Sequence, residues 1–284
     1  MSISRTEQCP RDDRAQLIYQ ESKIRNLTLW ACALTILAAA GAAQAVDYGS
    51  VSGQIVLDGD IPKLKPKVVK GDSKVRDAKC CSAQNVSNDT LVVNKDNKGI
   101  QHVFVYLKSI SKSKIHPDLK KSKKPEVVFD QKGCQFTPHS MLVRTDQQVV
   151  VKSNDDIPHN THSIPIFNKG ENFIVGANDR VGIKMPKFTI KERLPIEVKC
   201  DIHGWMSARW LILDHPYAAI SDKDGKFAIK NLPAGKYEFI VWHERVGYVD
   251  KALKVEIKGD ANADLDPIKV PVAKFEIKKG ELAD

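Results

Sequence analysis

The sequence is notable first for what it does not contain. No C-x-x-C-H motif occurs in its 284 residues, which excludes a covalently bound c-type haem. No sustained 3.6-residue hydrophobic period is present, so a helical bundle is not expected. The net charge is +9, yet no nucleic-acid-binding motif accompanies it. We therefore expect no nucleic-acid partner, and read the basic surface as favouring anionic partners.

The one long apolar run lies near the N-terminus, at residues 27–40. Lys23 and Arg25 precede it, and Ala43-Gln44-Ala45 gives an A-x-A cleavage pattern, which is typical of a secretory signal peptide. We predict that residues 1–45 are leader and signal peptide, and that the mature protein is periplasmic or secreted with no integral membrane span. The alternative is an uncleaved anchor, for which the apolar core is short.

The remainder of the chain has the pattern of an all-β protein. Short β-branched and aromatic runs alternate with turn residues, which favours a β-sandwich or Greek-key barrel. We predict a first domain over residues 46–215, with these strands: Ser50–Leu57, Thr90–Asn94, His102–Leu107, Glu126–Asp130, Met141–Arg144, Gln148–Ser153, Pro195–Cys200 and Ala208–Asp214.

A second, smaller β-sandwich is predicted over residues 216–284. The boundary falls near His215-Pro216, after which the pattern changes. Asp222-Lys223-Asp224-Gly225 predicts a hairpin turn. Strands over Ala218–Ser221, Lys226–Lys230, Lys236–His243, Lys251–Lys258 and Val270–Lys278 would form a small antiparallel unit.

Six cysteines occur, and four of them lie after residue 45: Cys80, Cys81, Cys134 and Cys200. An exported protein can keep disulfides. If Cys200 binds a metal, one bridge and one free thiol remain, and Cys134 would pair with Cys80 or Cys81. A bridge between adjacent cysteines is disfavoured because their short peptide loop strains it.

Cys200, His203 and Met206 follow one another with the spacing C-x-x-H-x-x-M, and His159 lies upstream in a Pro-His-Asn segment. Two imidazoles and a thiolate with a weak axial thioether form the ligand set of a blue-copper site. We therefore predict one type 1 copper ion, bound by His159, Cys200, His203 and Met206.

Strand alternation shows how these ligands could meet. Ile196, Val198 and Cys200 would share the inward face of one strand, which ends at one pole of the sandwich. His159 follows another strand and reaches the same pole if the two strands run the same way. His203 would then have its ring edge near solvent and serve as the electron exit. Asn160 would donate a hydrogen bond to the Cys200 sulfur.

These residues resemble the cupredoxins, most closely amicyanin-like and pseudoazurin-like members. The resemblance rests on Pro158–His162 and the C-x-x-H-x-x-M spacing, and covers roughly residues 85–214. It implies a Greek-key β-sandwich with one type 1 copper and an electron-shuttle role. Residues 221–227 and 232–237 are similar to hairpins of a carboxypeptidase-regulatory-like sandwich. In proteins that combine both modules, the cysteine matching Cys81 is the partner of Cys134.

Three functions are weighed. The first is a shuttle that passes single electrons between partners such as a c-type cytochrome or a dehydrogenase. The second is a copper-binding carrier or scaffold module of a cell-envelope complex. The third is an enzyme using His243 and Glu244, which lack an accompanying nucleophile. We predict that the protein is not an enzyme.

Overall fold

Strands make up most of the regular structure in this computed structural model, which describes residues 47–283. The predicted leader and signal peptide lies outside these residues. One short helix, α1 (Ala78–Cys81), and four 3₁₀ turns (Lys112–Lys114, Pro117–Leu119, Val272–Phe275 and Lys279–Glu281) interrupt the strands. The strands are β1 (Tyr48–Asp58), β2 (Phe104–Leu107), β3 (Glu126–Gln131), β4 (Phe136–Thr137), β5 (Ser140–Arg144), β6 (Gln148–Val151), β7 (His159–Ile164), β8 (Asn172–Val175), β9 (Ile183–Lys184), β10 (Ile196–Lys199), β11 (Ser207–Leu213), β12 (Ala218–Ile220), β13 (Lys226–Pro233), β14 (Gly235–His243), β15 (Gly247–Ile257), β16 (Asn262–Asp264) and β17 (Ile268–Pro271). The prediction of an all-β fold is confirmed.

Two sheets enclose the first core. One has the order β5-β11-β10-β7-β8 and the other β4-β3-β6-β9. Apolar side chains from both sheets pack into a single cluster, in which Trp210 meets Phe129 edge to face with ring centroids 4.7 Å apart. Burying such large aromatic side chains is a main source of stability in a β-sandwich.

The other two sheets join both ends of the described chain. β1 pairs antiparallel with β13 and parallel with β16 and β17, while β2 lies between β12 and β14. The C-terminal strands are thus hydrogen-bonded to strands that precede residue 108. The prediction that the C-terminal strands form an antiparallel unit of their own is wrong. β16 and β17 pair with β1, and both pairings are parallel. The division into residues 46–215 and 216–284 stays a prediction.

Two predicted strands differ from the structure. Residues 90–94 form only an isolated bridge, Val93 to Ile100. The chain turns there because Asn94 and Asn97 accept hydrogen bonds from the backbone two residues ahead, which competes with strand pairing. The strand predicted over residues 270–278 ends at Pro271, where a 3₁₀ turn follows.

None of the helices between residues 47 and 283 has the length and apolar character that a membrane crossing requires.

Candidate metal centre

The strand that leads to Cys200 has the predicted alternation. Ile196 and Val198 are buried, Glu197 and Lys199 are half-buried, and Cys200 is 1% exposed. Period-two alternation therefore aims the thiol into the core at the end of β10.

His159 is the first residue of β7 rather than part of a loop. β7 pairs antiparallel with β10, with His162 opposite Lys199. This pairing sets the start of one strand beside the end of the other, and so brings the His159 ring to Cys200. His159 is completely buried.

The segment between β10 and β11 folds back tightly. The Met206 N–H donates to the His203 carbonyl at 2.9 Å, and the Cys200 N–H donates to the Met206 carbonyl at 3.1 Å. The His203 N–H points at the Cys200 sulfur, 3.3 Å away. The three-residue spacing of the motif thus closes a turn that directs the His203 ring back over the thiol.

Three of the four predicted ligands converge. His159 Nδ1 lies 2.9 Å from His203 Nδ1, and His203 Nδ1 lies 3.8 Å from Cys200 Sγ. One donor atom from each residue lies within 4.8 Å of the other two, and all three side chains are buried. Met206, 2% exposed, packs in the same apolar cluster as Cys200.

Each imidazole makes a hydrogen bond to a carboxylate through Nε2, on the edge that faces away from the other ring. His159 Nε2 lies 2.8 Å from Asp155 Oδ2, and His203 Nε2 lies 2.9 Å from Asp77 Oδ2. A carboxylate accepts, so each Nε2 carries a proton, and each Nδ1 faces the cluster. Carboxylates in this position orient histidine ligands and increase their basicity.

Hydrogen bonds and charges within the cluster shift the pKa values of Cys200 and His159. Burial alone would raise the pKa of Cys200, but hydrogen bonds with His159, His203 and the Asn160 backbone lower it to about 6. Burial alone would lower the pKa of His159, but its bonds to Asp155 and Cys200 raise it to about 9. The sulfur is therefore a thiolate at neutral pH, which is the form that binds metal.

This donor set suits copper. The two Nδ1 atoms lie at hydrogen-bond distance, 2.9 Å, so one of them carries a proton in the metal-free protein, and a bound metal ion would displace it. A thiolate and two imidazoles satisfy both Cu(I) and Cu(II), and the buried pocket excludes water as a competing ligand. The assignment of His159, Cys200, His203 and Met206 as ligands stays a prediction.

Asn160 meets the sulfur with two groups, an acceptor on its side chain and a donor on its backbone. Its Oδ1 lies 3.2 Å from Cys200 Sγ and accepts hydrogen bonds from the backbone N–H groups of Asp201 (2.7 Å) and Ile202 (3.2 Å). The Asn160 side chain thereby fixes the first residues of the turn. Its backbone N–H lowers the pKa of the thiol.

The expectation that the His203 ring edge lies near solvent is wrong. His203 is 0% exposed because the Asp77 segment covers its Nε2 edge, and the Trp205 ring packs against it at a centroid distance of 5.3 Å. Trp205 in turn donates from Nε1 to the Cys134 carbonyl at 3.2 Å.

Cys81 and Cys134 form a disulfide, the pairing that the resemblance implies. Cys80 keeps a free thiol, with its Sγ 3.9 Å from Cys134 Sγ. The disulfide ties α1 to the turn that precedes β4.

His139, His162 and Glu244 form contacts outside this cluster. His139 pairs with the buried Glu244, which Arg209 also approaches at 3.4 Å. His162 contacts Asp201 at 3.0 Å on the surface. Asp77 and Asp155 were not identified from the sequence. For Asp155 the four-residue spacing to His159 was an available signal, whereas Asp77 lies 126 residues before its partner.

No protein-family model and no curated protein matches the chain. Among solved structures, it is similar to a copper-containing nitrite reductase from Thermus scotoductus (17% identity, TM-score 0.26). The match includes 31% of this chain and 22% of the reductase chain. The chain is similar to a purple cupredoxin from Nitrosopumilus maritimus (15%, TM-score 0.26), covering all of that chain with 32% of its own. It is also similar to a reduced amicyanin variant (12%, TM-score 0.27), covering 98% of that chain with 38% of its own. Each likeness is confined to part of the chain and is too slight to assign a ligand or an activity.

Proposed function

We propose that the protein binds one copper ion through His159 Nδ1, His203 Nδ1 and Cys200 Sγ, with Met206 as a weak fourth ligand, and exchanges single electrons with a redox partner. The observation that carries the proposal is the convergence of two oriented imidazoles and a buried thiolate. Copper, when bound, supplies a reversible one-electron couple between Cu(I) and Cu(II).

The chain's own contribution is a fixed and dry set of donors. β7 and β10 are paired to each other and hold two of the ligands, while the carboxylates of Asp77 and Asp155 fix both rings. Because these groups are restrained before a metal arrives, little rearrangement would accompany a change of oxidation state. A small rearrangement is what fast electron transfer requires.

The location and the partner belong to the same proposal. A periplasmic or secreted protein would meet a c-type cytochrome or a dehydrogenase as electron donor or acceptor. Residues 46–284 hold 39 Lys/Arg and 31 Asp/Glu, and their net charge of +8 supports an anionic partner surface, since opposite charges accelerate encounter.

An absorption spectrum tests the copper site. Adding one equivalent of Cu(II) to the metal-free protein should produce an intense visible thiolate-to-copper band. Cys200→Ser should abolish this band, whereas Cys80→Ser, which removes the other free thiol of residues 47–283, should retain it. A colourless copper-loaded protein, or a band that survives Cys200→Ser, contradicts the proposal.

The burial of His203 favours a second candidate function, a copper carrier or scaffold module, because no edge of that ring reaches the surface. The rate of electron self-exchange of the copper-loaded protein separates the two. Slow exchange with tight Cu(I) retention would favour the carrier, and fast exchange the shuttle.

A further inference from the structure

The Nε2 edge of His203 is covered by a side chain that itself faces solvent. The ring is fully buried, yet the carboxylate that meets its Nε2 belongs to Asp77, whose own side chain is 40% exposed. At this edge the Asp77 carboxylate lies between the candidate ligand and bulk water, while Trp205 packs against the ring.

Asp77 occupies an unusual backbone conformation. Its φ and ψ are 53° and 42°, in the left-handed region, immediately before α1. This conformation is unfavourable for a residue with a Cβ, although aspartate tolerates it better than most. The Asp77 carbonyl accepts hydrogen bonds from the N–H groups of Cys80 (3.0 Å) and Cys81 (2.9 Å). The turn at residues 77–81 thus has a defined shape that aims the carboxylate inward.

The disulfide connects this turn to the rest of the site. Cys81 is bonded to Cys134, whose N–H donates to Asp155 Oδ2 at 2.9 Å, the same oxygen that accepts from His159. The Cys134 carbonyl accepts from Trp205, which packs on His203. Cys134 is therefore linked to the outer partners of both imidazoles.

We propose that Asp77 is a positioning residue for His203, and that residues 77–81 form a cap over the metal centre that the Cys81–Cys134 disulfide holds in place. The importance of the cap for a metal rests on the proposed function. Its effect on the His203 ring does not, since that contact is between two side chains of this protein.

The cap has two consequences. It keeps the proton of His203 on Nε2, so that Nδ1 is free to bind. It also prevents a partner from touching the ring directly. Exchange of electrons through the His203 edge would then require residues 77–81 to move.

Asp77→Ala in the metal-free protein tests the cap at a fixed pH. Nitrogen-15 NMR of the histidine rings reports the tautomer of His203, and peptide mass spectrometry after diethyl pyrocarbonate treatment reports its accessibility. We expect Asp77→Ala to lose the Nε2–H tautomer and to raise the His203 modification rate severalfold. Asp77→Asn, which keeps a side-chain oxygen as acceptor, should largely retain the tautomer. Lys79→Ala, an exposed change in the same turn, is the matched control.

The disulfide is tested in a Cys80→Ser background, because the Cys80 thiol lies near enough to Cys134 to replace Cys81. Adding Cys81→Ser and Cys134→Ser should expose His203 as Asp77→Ala does. If Asp77→Ala matches Lys79→Ala in both tautomer and modification rate, the positioning role is wrong. If His203 stays equally protected without the disulfide, the Cys81–Cys134 bond does not hold the cap in place.

Copper binding separates failure of the cap from failure of the proposed function. With the cap and the copper site both correct, Asp77→Ala should weaken Cu(I) affinity by about 10- to 100-fold, the usual effect of removing such a partner. If the parent protein forms no thiolate–copper band while Asp77→Ala still changes the His203 tautomer, the proposed function fails and the cap stands. If the parent protein forms the band but Asp77→Ala changes neither the His203 tautomer nor the Cu(I) affinity, the cap fails and the proposed function stands.

Discussion

His159 and His203 face each other through their Nδ1 atoms at 2.9 Å, although 44 residues separate them in the chain. Each ring is turned this way by a carboxylate on its far side. The orientation of the two rings therefore depends on residues outside the set of candidate ligands, and several predictions concern those residues.

Asp155→Asn should weaken both the metal site and the fold. Asp155 accepts from His159 Nε2 and from the backbone N–H groups of Gly133 and Cys134, and an amide can satisfy fewer of these donors. We expect about 10- to 100-fold weaker copper binding and a loss of about 1–3 kcal/mol in the free energy of unfolding. Titration with a Cu(I) chelator and urea denaturation measure the two effects. Asp156→Asn, at the exposed neighbouring carboxylate, is the control, and equal behaviour of the two variants would refute the role of Asp155.

Acid should destabilise the protein partly through His215. Burial lowers the pKa of this histidine from 6.5 to about 4, and its Nε2 meets no hydrogen-bond partner within residues 47–283. Between pH 6.5 and about pH 4, His215 is therefore protonated in the unfolded chain but remains neutral in the folded chain. The associated stability is complete above pH 6.5 and is lost as the pH falls towards 4, by at most about 3 kcal/mol.

Replacing His215 with Gln removes this linkage. Urea denaturation of the parent and of His215→Gln at pH 7.5 and pH 4.5 measures it. The stability advantage of the parent should shrink at the lower pH. An advantage that stays constant or grows would show that His215 is not responsible.

Removing the Cys81–Cys134 disulfide should lower stability substantially. The two cysteines are 53 residues apart. Closing a loop of that length lowers the conformational entropy of the unfolded chain, which raises the free energy of unfolding by about 4 kcal/mol. We expect Cys81→Ser with Cys134→Ser to lower the urea midpoint accordingly, and Cys80→Ser to leave it nearly unchanged. An unchanged midpoint in the double variant would show that the bond contributes little to folding stability.

Gly225→Ala should disrupt the turn before β13. Gly225 has φ +73°, and a Cβ there would lie 2.3 Å from the Ile55 carbonyl oxygen. Both the left-handed conformation and the clash with backbone should destabilise the protein by more than about 2 kcal/mol. Gly176→Ala, where a Cβ meets open space, is the matched control. Thermal unfolding compares the two, and similar midpoints would contradict the prediction.

The features that the sequence predicts well are local ones. Period-two alternation correctly orients Cys200, because burial on one face follows directly from strand geometry. Asp222–Gly225 is a turn, as its residue types indicate, and Gly225 adopts the positive φ that glycine permits. The predicted hairpin is wrong, because β12 before the turn pairs with β2 whereas β13 after it pairs with β1 in another sheet. The convergence of His159 with Cys200 and His203 was expected from their order and residue types, and the structure brings all three together.

The features that the sequence does not predict depend on long-range contacts. Nothing near Asp77 marks it as the partner of a ring 126 residues later, so the burial of His203 was missed. The strand predicted at residues 90–94 is reduced to a single bridge, because the Asn94 and Asn97 side chains accept hydrogen bonds from the backbone and form a turn directly after it. Pairing partners of β1 are likewise set by the fold as a whole.

β1 pairs with β13, β16 and β17, all of which are synthesised more than 160 residues after it. Contacts so distant in sequence are slow to form. This sheet cannot be complete before residue 271 has been synthesised, and a shortened chain ending at residue 215 would leave the edges of β1 open for association with other copies.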